Sequence, residues 1–284
     1  MNTGNFKKML HRVPLFLFLA LMIPAVAGAT GPRVTGSLFA VDKSEIYAVD
    51  IVPFISMEVA GGGIATEISD AALAAGEIDV VITTLPLQRM VRYYLSQENA
   101  IAVMGHHFKF SKADGKSLIF VPVVAAPERH YYYRGSYPDG LAWKGDLKNM
   151  KGKRYGSHPG EDNTAYNEAG IEVVHGRTMS LLKKLKSGKI DFIGVPSLSV
   201  EWLIKKYMPE EKGNFVVMEI ADYDDEIIYV IFNRKHADGV AAAEKFRKAL
   251  TKMIADGSYL EILKGHMDEQ RAEGYLKRIQ YHQK

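Results

Sequence analysis

Alternation of strand-like and helix-like segments is the feature that most constrains how this chain can fold. A strand-like run at 46–51 is followed by three glycines at 61–63 and then by apolar residues at helical spacing over 64–75. A second strand-like run covers 78–85, Pro86 opens another helical pattern, and 101–104 returns as a strand. Strands that alternate with helices favour a mostly parallel sheet. The first part of the chain is therefore predicted to be an α/β unit.

A second set of alternating segments follows Gly145. Short strands are predicted at 153–156 and 171–174, a helix at 178–186, a buried strand at 190–195, and a helix over 197–207 that Ser197 can cap. Strands at 215–220 and 227–232, a long helix that Gly257 ends, and a highly charged helical tail over 259–283 complete the pattern. These segments predict a second α/β unit.

The first 29 residues have the pattern of a secretory signal peptide. Three basic residues precede an apolar run over 13–26, and small residues at 27–29 offer a cleavage site after Ala29. The alternative is a membrane anchor, but the run is shorter than the roughly 20 residues of a membrane span and contains two prolines. We therefore expect a periplasmic protein, 30–284 after cleavage, that no longer has a membrane anchor.

Composition excludes several classes of function. The chain has no cysteine, which excludes disulfides, thiolate metal sites, thiol nucleophiles and a lipidated cysteine anchor. Three of its 36 basic residues lie in the predicted leader, so 33 basic side chains remain against 33 acidic ones. A net charge near zero gives no reason to expect nucleic acid as a partner.

Five phrases, spread from about residue 46 to 264, resemble the family 3 extracellular solute-binding proteins in content and order. Each phrase alone fits many α/β proteins, whereas the five in sequence are specific. They are Pro53-Phe54, GGGIATEI at 61–68, LKNMKGKRYGSHPGED at 147–162, SLLKKLKSGKIDFIGV at 180–195, and FRKALTKMIADGSYLEILK at 246–264.

This resemblance implies an α/β, two-lobed type II periplasmic binding protein fold. Each lobe is expected to be a mostly parallel sheet flanked by helices, with two crossing strands, near 129–135 and 226–234, as the hinge. Lobe one would comprise 30–133 and 227–284, and lobe two 134–226. The implied function is capture of a small polar or aromatic solute in an interlobe cleft by a monomer that delivers it to the membrane permease of an ABC transporter.

Two departures from the family pattern concern the ligand. The sequence has His106-His107 where an arginine is expected to clamp a carboxylate, and Pro196-Ser197 where an aspartate is expected to bind an amino group. Both argue against a standard α-amino acid as the ligand. Arg89, on the expected rim of lobe one, is a substitute clamp, unless it is an exposed helix arginine.

The remaining candidates lie on loops that the fold would bring to the cleft. The family holds a carboxylate with backbone amides in the loop at 160–163, where this sequence has two acidic residues that can instead cap the helix. The candidate ligand-binding residues are Phe54, Arg89, His106, His107, Ser157, His158, Gly160, Glu161, Asp162, Ser197 and Tyr223.

No motif indicates an enzyme, a cofactor or a metal. The histidines lack the spacing of a zinc protease motif, the phrase DGKS at 114–117 lacks the first glycine of a phosphate-binding loop, and no G-x-S-x-G occurs. Two alternatives stay open: a ligand-sensing module for a membrane receptor or partner protein, and a dehydratase-like enzyme on the same fold, with Glu161 or Glu58 as acid or base.

Overall fold

The computed structural model describes residues 45–85, 100–106, 116–143, 146–218 and 225–283. The strands in these ranges are β1 Glu45–Val49, β2 Val81–Leu85, β3 Ala100–His106, β4 Leu118–Tyr133, β5 Arg154–Ser157, β6 Glu172–His175, β7 Phe192–Pro196, β8 Phe215–Val217 and β9 Asp225–Asn233. The α-helices are α1 Ile64–Ala75, α2 Thr164–Glu168, α3 Thr178–Lys186, α4 Ser197–Tyr207, α5 Gly239–Asp256, α6 Ser258–His266 and α7 Glu269–His282. None of the helices in the described ranges is long and apolar enough to cross a membrane. The predicted leader lies outside those ranges.

The strands form two parallel sets that are joined through two antiparallel strands. Their order is β2-β1-β3-β9-β4-β7-β5-β6, and β8 pairs with β4 beside that path. Strands β1, β2 and β3 are mutually parallel, as are β5, β6 and β7. We call β1–β3, β9 and the start of β4 the first segment of the sheet, and β5–β8 with the end of β4 the second segment.

Strand β4 belongs to both segments. Residues 118–127 pair with β9, whereas 128–133 pair with β7 and β8. The change of partner occurs between Pro127 and Glu128, at the edge of the predicted crossing segment at 129–135. After β8 the chain returns to the first segment as β9, whose Asp225 lies opposite Pro127.

Each segment packs its helices over an apolar core of its own. In the first segment α1 and α5–α7 cover the sheet, and the fully buried Tyr259 donates its hydroxyl to the carbonyl of Val123, 2.9 Å away. In the second segment α3 and α4 bury Leu181, Leu185 and Leu203 against β7. Stacked Tyr155 and Tyr166, with ring centroids 3.9 Å apart, fill the opposite face with Phe192.

Most predicted elements are present with small shifts of their bounds. The helix over 178–186 matches, and Gly257 ends α5 as expected, with a positive φ of 88°. The predicted helical tail is divided into α6 and α7, because the chain is extended at Met267 and the side chain of Asp268 accepts the backbone N–H of Arg271 to start α7. The helix that Pro86 was predicted to open lies outside the described residues.

Candidate functional site

The carboxyl ends of both parallel sets point to the place where β4 changes partners. His106 ends β3 and lies opposite Ile228, near the start of β9, and Pro196 ends β7 opposite Glu128. Since β1 and β2 run with β3, and β5 and β6 with β7, the carboxyl ends of all six strands face this region. Ligands of open α/β sheets bind outside such carboxyl ends, where loops expose backbone groups.

One face of the sheet is polar at this place. Residues opposite each other on paired strands share a face, and side chains alternate along a strand. The register of β3, β9 and β4 therefore puts His106, Glu226, Glu128 and His130 on one face. We call these four residues the polar row. They interrupt a sheet whose other central positions are mostly apolar and buried.

The side chains of the row make close contacts within each segment. His106 Nδ1 lies 2.9 Å from the Glu226 carboxylate, and both side chains are about one-fifth to one-quarter exposed. Gly194 on β7 makes room for the rest of the row: a Cβ there would lie 2.2 Å from Glu128 Oε1 and 3.2 Å from His130 Nε2. A side chain at 194 would therefore have to displace the carboxylate of Glu128 from its present position.

His130 is a neutral member of the row. Burial lowers its pKa to about 4, because no water is available to solvate the charged ring. Its Nε2 lies 3.2 Å from the hydroxyl of Tyr166, and its ring packs near Tyr155 and Phe192. At neutral pH the negative charge of the row is therefore not offset by His130.

The loop after β5 folds around the carboxylate of Glu161. That carboxylate accepts hydrogen bonds from the hydroxyl of Ser157 at 2.7 Å and the backbone N–H of His158 at 2.9 Å, and pairs with His158 Nδ1 at 2.7 Å. His158 Nε2 lies 2.9 Å from Thr178 Oγ1. The four residues form a closed hydrogen-bonded group at the end of β5.

Electrostatics favour the ionised His158–Glu161 pair. Burial lowers the pKa of His158, but the hydrogen bond and charge of Glu161, with Glu226 and Glu128 nearby, outweigh it and leave that pKa above 6.5. Burial likewise raises the pKa of Glu161, but His158 and Ser157 outweigh it and leave that pKa below 4.5. The influence of Glu226 and Glu128 on His158 indicates that the loop after β5 and the polar row share one electrostatic environment.

This pair predicts a pH window for its contribution to stability. The raised pKa of His158 gives stabilisation that is complete below pH 6.5 and lost as pH rises through the folded-state value. The lowered pKa of Glu161 gives stabilisation that is complete above pH 4.5 and lost as pH falls through its folded-state value. His158→Gln should therefore lower the free energy of unfolding by about 1 kcal/mol between pH 4.5 and 6.5, and by less outside that window.

Urea unfolding at pH 3, 5.5 and 9 checks this expectation. His175→Gln is the matched control, because His175 is an exposed histidine at the end of the neighbouring strand β6. Its difference from the parent protein should be small at all three pH values. A loss for His158→Gln that is the same at each pH would contradict the ionised pair.

A pocket of about 480 Å³ lies beside this loop, where β6 ends and α2 begins. Its wall includes Asn163, which is only 9 % exposed and donates its side-chain N–H to the carbonyl of Glu161 at 3.1 Å. The Oδ1 atom of Asn163 is buried and has no hydrogen-bond partner among the described residues. The lining residues are Gly160, Glu161, Asp162, Asn163, Thr164, Asn167, Val173 and His175.

Helix α4 of the second segment docks on the loop that follows β1 in the first segment. The hydroxyl of Ser199 donates to the carbonyl of Val52 at 2.6 Å, and Lys206 Nζ lies 2.6 Å from the Glu58 carboxylate, which Tyr207 also contacts. A bidentate pair joins Glu201 to Arg271 of α7, at 2.6 and 3.0 Å. These contacts hold the two segments together along one flank of the polar row.

The predicted site residues fall into three groups. His106, Ser157, His158, Gly160, Glu161 and Asp162 lie at the carboxyl ends of β3 and β5 or in the loop after β5. Phe54 is placed elsewhere, because it is fully buried and stacks on Tyr275 in the core, whereas Ser197 follows the carboxyl end of β7 as the half-buried first residue of α4, which has no side-chain cap. Arg89, His107 and Tyr223 lie outside the described residues.

Two residues of the site, Glu128 and Glu226, had no place in the sequence prediction. They share a face of the sheet only through the pairing of β4 with β9, and Asn163, part of the predicted loop at 160–163, becomes notable only because it is buried. The alternation of Glu128 and His130 within a strand was the available signal, since it puts two polar groups on one face. Within the described ranges, no group of three or more histidine, aspartate or glutamate side chains is arranged to hold a metal ion.

Comparison with known proteins identifies the fold. No family model matches the sequence, and no curated protein matches it. Among solved structures, the chain is similar to the GluR0 ligand-binding core from Nostoc punctiforme in complex with glutamate, with 14 % identity and a TM-score of 0.60 over 79 % of this chain and 99 % of that one. It is also similar to the arginine-, lysine- and histidine-binding protein ArtJ from Geobacillus stearothermophilus, with 18 % identity and a TM-score of 0.60 over 81 % and 100 % of the two chains.

A third similar structure is the VFT2 domain of BvgS from Bordetella pertussis, with 14 % identity and a TM-score of 0.59 over 84 % of this chain and 93 % of that one. At such identities the similarity defines the fold alone. It agrees with the two parallel sets and the strand β4 that joins them. The protein therefore has the two-lobed type II periplasmic binding protein fold, as its resemblance to the family 3 solute-binding proteins implies.

Proposed function

We propose that this protein is an exported binding protein that captures a small polar solute between its two lobes. The observation that carries the proposal is the convergence of six strand ends on a polar row inside an otherwise apolar sheet. Placing charged and polar side chains there is unfavourable for folding alone, since burial removes them from water. A polar ligand that contacts these side chains would replace the water that they lose on burial.

We further propose where the lobes begin and end. The pairing of residues 128–133 with β7 and β8 favours a first lobe of 45–127 and 225–283 and a second lobe of 128–218. This moves the boundary expected from the sequence by six residues, from 133 to 127. The hinge would then lie at the change of partner in β4 and in the return from β8 to β9.

Delivery of the solute to the permease of an ABC transporter is the role that we propose for the closed form. The signal peptide pattern at 1–29 supports a periplasmic location for this step. The polar row holds paired and hydrogen-bonded groups but no arrangement of nucleophile, base and oxyanion donors, so we propose binding rather than catalysis.

Trp202 offers a direct test of lobe closure. It lies on α4, half-buried, in a groove that Pro53, Ile64 and Arg271 of the first segment also line. The chain has two tryptophans, so Trp143→Phe leaves Trp202 as the single reporter. We expect the ligand that co-purifies with the protein, identified by mass spectrometry, to shift the emission of Trp202 when it is added to the stripped protein.

Small-angle scattering of the same samples provides the second measurement. Ligand should reduce the radius of gyration as the lobes close, and stabilise the protein against heat by mass action. Trp202→Phe is the matched control, because it keeps Trp143, which packs against apolar side chains of the second segment, and it should show little emission change. If no co-purifying or screened solute changes emission, radius or melting temperature, the proposed function is wrong.

A further inference from the structure

Two carboxylates of the chain itself occupy the hydrogen-bond donors of the loop after β5. Glu161 accepts hydrogen bonds from the hydroxyl of Ser157 and the backbone N–H of His158, and it pairs with the ring Nδ1 of His158. Asp162 accepts hydrogen bonds from the backbone N–H of Thr164 at 3.1 Å and from the hydroxyl of Thr164 at 2.7 Å. A ligand carboxylate would have to displace one of these groups to bind the same donors.

One buried acceptor in the wall of the neighbouring pocket is left for a ligand. Asn163 is 9 % exposed and its Oδ1 has no partner among the described residues, while its Nδ2 is already used by the carbonyl of Glu161. That last bond fixes which end of the amide is the oxygen. A buried acceptor without a donor is unfavourable, so a ligand that supplies an N–H there is stabilised.

The charged residues around the pocket also favour a ligand that donates hydrogen bonds, because most of them are acidic. Of the eight residues that line the pocket, two are acidic and only His175 is basic. The ionised His158 offsets the charge of Glu161, but Asp162 remains, Glu128 and Glu226 add negative charge close to His158, and burial keeps His130 neutral at physiological pH. The surroundings of the pocket therefore favour a positively charged ligand that donates hydrogen bonds.

We infer that the ligand is a small organic cation, an amine or amidine that carries no carboxylate, held by Glu161, Asp162 and Asn163. This inference rests on the proposed function, because the pocket borders the loop after β5, which begins at one of the strand ends that face the proposed cleft. Glu161 stands in for the carboxylate that a zwitterionic amino acid would bring.

Matched ligand pairs test the inference by calorimetry on the purified chain after leader removal. Agmatine and arginine share a guanidinium group and differ by one carboxylate, as do putrescine and ornithine. We expect agmatine to bind at least tenfold more tightly than arginine, and putrescine more tightly than ornithine. Equal or tighter binding of arginine or ornithine, or binding of glutamate or succinate in preference to the amines, would overturn the inference.

Two variants locate the binding groups. Glu161→Gln should weaken agmatine binding about tenfold, whereas Glu168→Gln, the same change on the exposed side of α2, should leave it within twofold. Asn163→Ala should also weaken binding, and it tests the site independently if Glu161→Gln unfolds. Agmatine affinity that is unchanged in both Glu161→Gln and Asn163→Ala would exclude this pocket.

The outcome for the ligand class can be separated from the outcome for the proposed function. An uncharged or acidic solute that shifts the emission of Trp202 and compacts the protein would overturn the cation assignment and leave cleft binding intact. No response to any solute would overturn both. Binding of agmatine without compaction would support the pocket and contradict closure.

Discussion

Replacing Gly63 by alanine is expected to destabilise the protein by about 3 kcal/mol or more, through backbone strain and steric overlap together. Gly63 has a φ of 98°, a conformation that residues with a Cβ rarely adopt. A Cβ at this position would lie 2.6 Å from the carbonyl oxygen of Pro53 and 2.7 Å from that of Phe54. Both are backbone atoms, so no side chain can move aside.

The strain would spread to the rim of the first lobe. The same two carbonyls accept the backbone N–H groups of Ile64 and Ala65 at 3.2 and 2.8 Å, which ties the loop after β1 to the start of α1. Moving them would disturb Phe54, which is fully buried in the core. Urea unfolding of Gly63→Ala should therefore show a lower midpoint at an unchanged m value.

Gly274→Ala provides the control for this prediction. Gly274 lies inside α7, and a Cβ there would meet no atom within 4 Å. Alanine should raise the free energy of unfolding by roughly 0.5–1 kcal/mol, because it restricts the unfolded chain. If the two substitutions had similar effects, the role given to the backbone of Gly63 would be wrong.

Removing the carboxylate of Asp191 is the second change with a large expected effect. Asp191 is 7 % exposed and accepts hydrogen bonds from the backbone N–H of Arg154 at 2.7 Å, from its guanidinium at 3.0 and 3.1 Å, and from the hydroxyl of Tyr137 at 2.7 Å. Asp191→Ala leaves these donors without an acceptor. We expect the free energy of unfolding to fall by about 3 kcal/mol. This value is at the lower end of the range for breaking a buried ion pair, because Arg154 is partly exposed.

The dependence of the free energy of unfolding on pH in the acid range gives an independent check. Burial raises the pKa of Asp191, but the hydrogen bonds from Arg154 and Tyr137 outweigh it and leave that pKa below 3.8. Its stabilisation is therefore complete above pH 3.8 and lost as pH falls through the folded-state value. The difference between Asp191→Ala and the parent should shrink below that pH, while exposed Asp139→Ala should differ little at any pH. A deficit that persists in strong acid would point to packing instead.

The phrase at 180–195, which contains Asp191, could be read from the sequence because its helix, glycine turn and strand follow one another directly, and a linear pattern can encode them. The bond of Asp191 to Arg154, which is 37 residues away, could not be read in this way. The helix over 178–186 and the strand after it were predictable for the same reason. Periodicity and glycine positions report local structure, and both are visible without the fold.

Strand β4 was largely missed, for a physical reason. Pro122 and Pro127 interrupt its sequence, and proline cannot donate to a neighbouring strand. In the structure Pro122 lies at a shift in register with β9, and Pro127 lies at the change of partner, so each sits where the ladder is already broken. The polar row was equally hidden, because register between strands distant in sequence places Glu226 on the same face as Glu128.

The resemblance to amino-acid receptors and the residues of the loop after β5 lead to different ligands. The fold carries over at 14–18 % identity, but the donors of this loop are already bound to Glu161 and Asp162. The sequence departures at His106 and Pro196 had pointed away from a standard amino acid. The internal carboxylates now suggest what replaces it.

The shared strand β4 has a consequence for the order of folding. Strands β5 to β8 are contiguous in the chain and need only the end of β4 to complete their sheet, so they can close early in folding. Strand β3 and the start of β4 must wait for β9, more than a hundred residues later, before their edges are paired. Such distant pairing slows folding and leaves apolar strand edges open meanwhile. The first lobe is therefore where a chaperone would be needed.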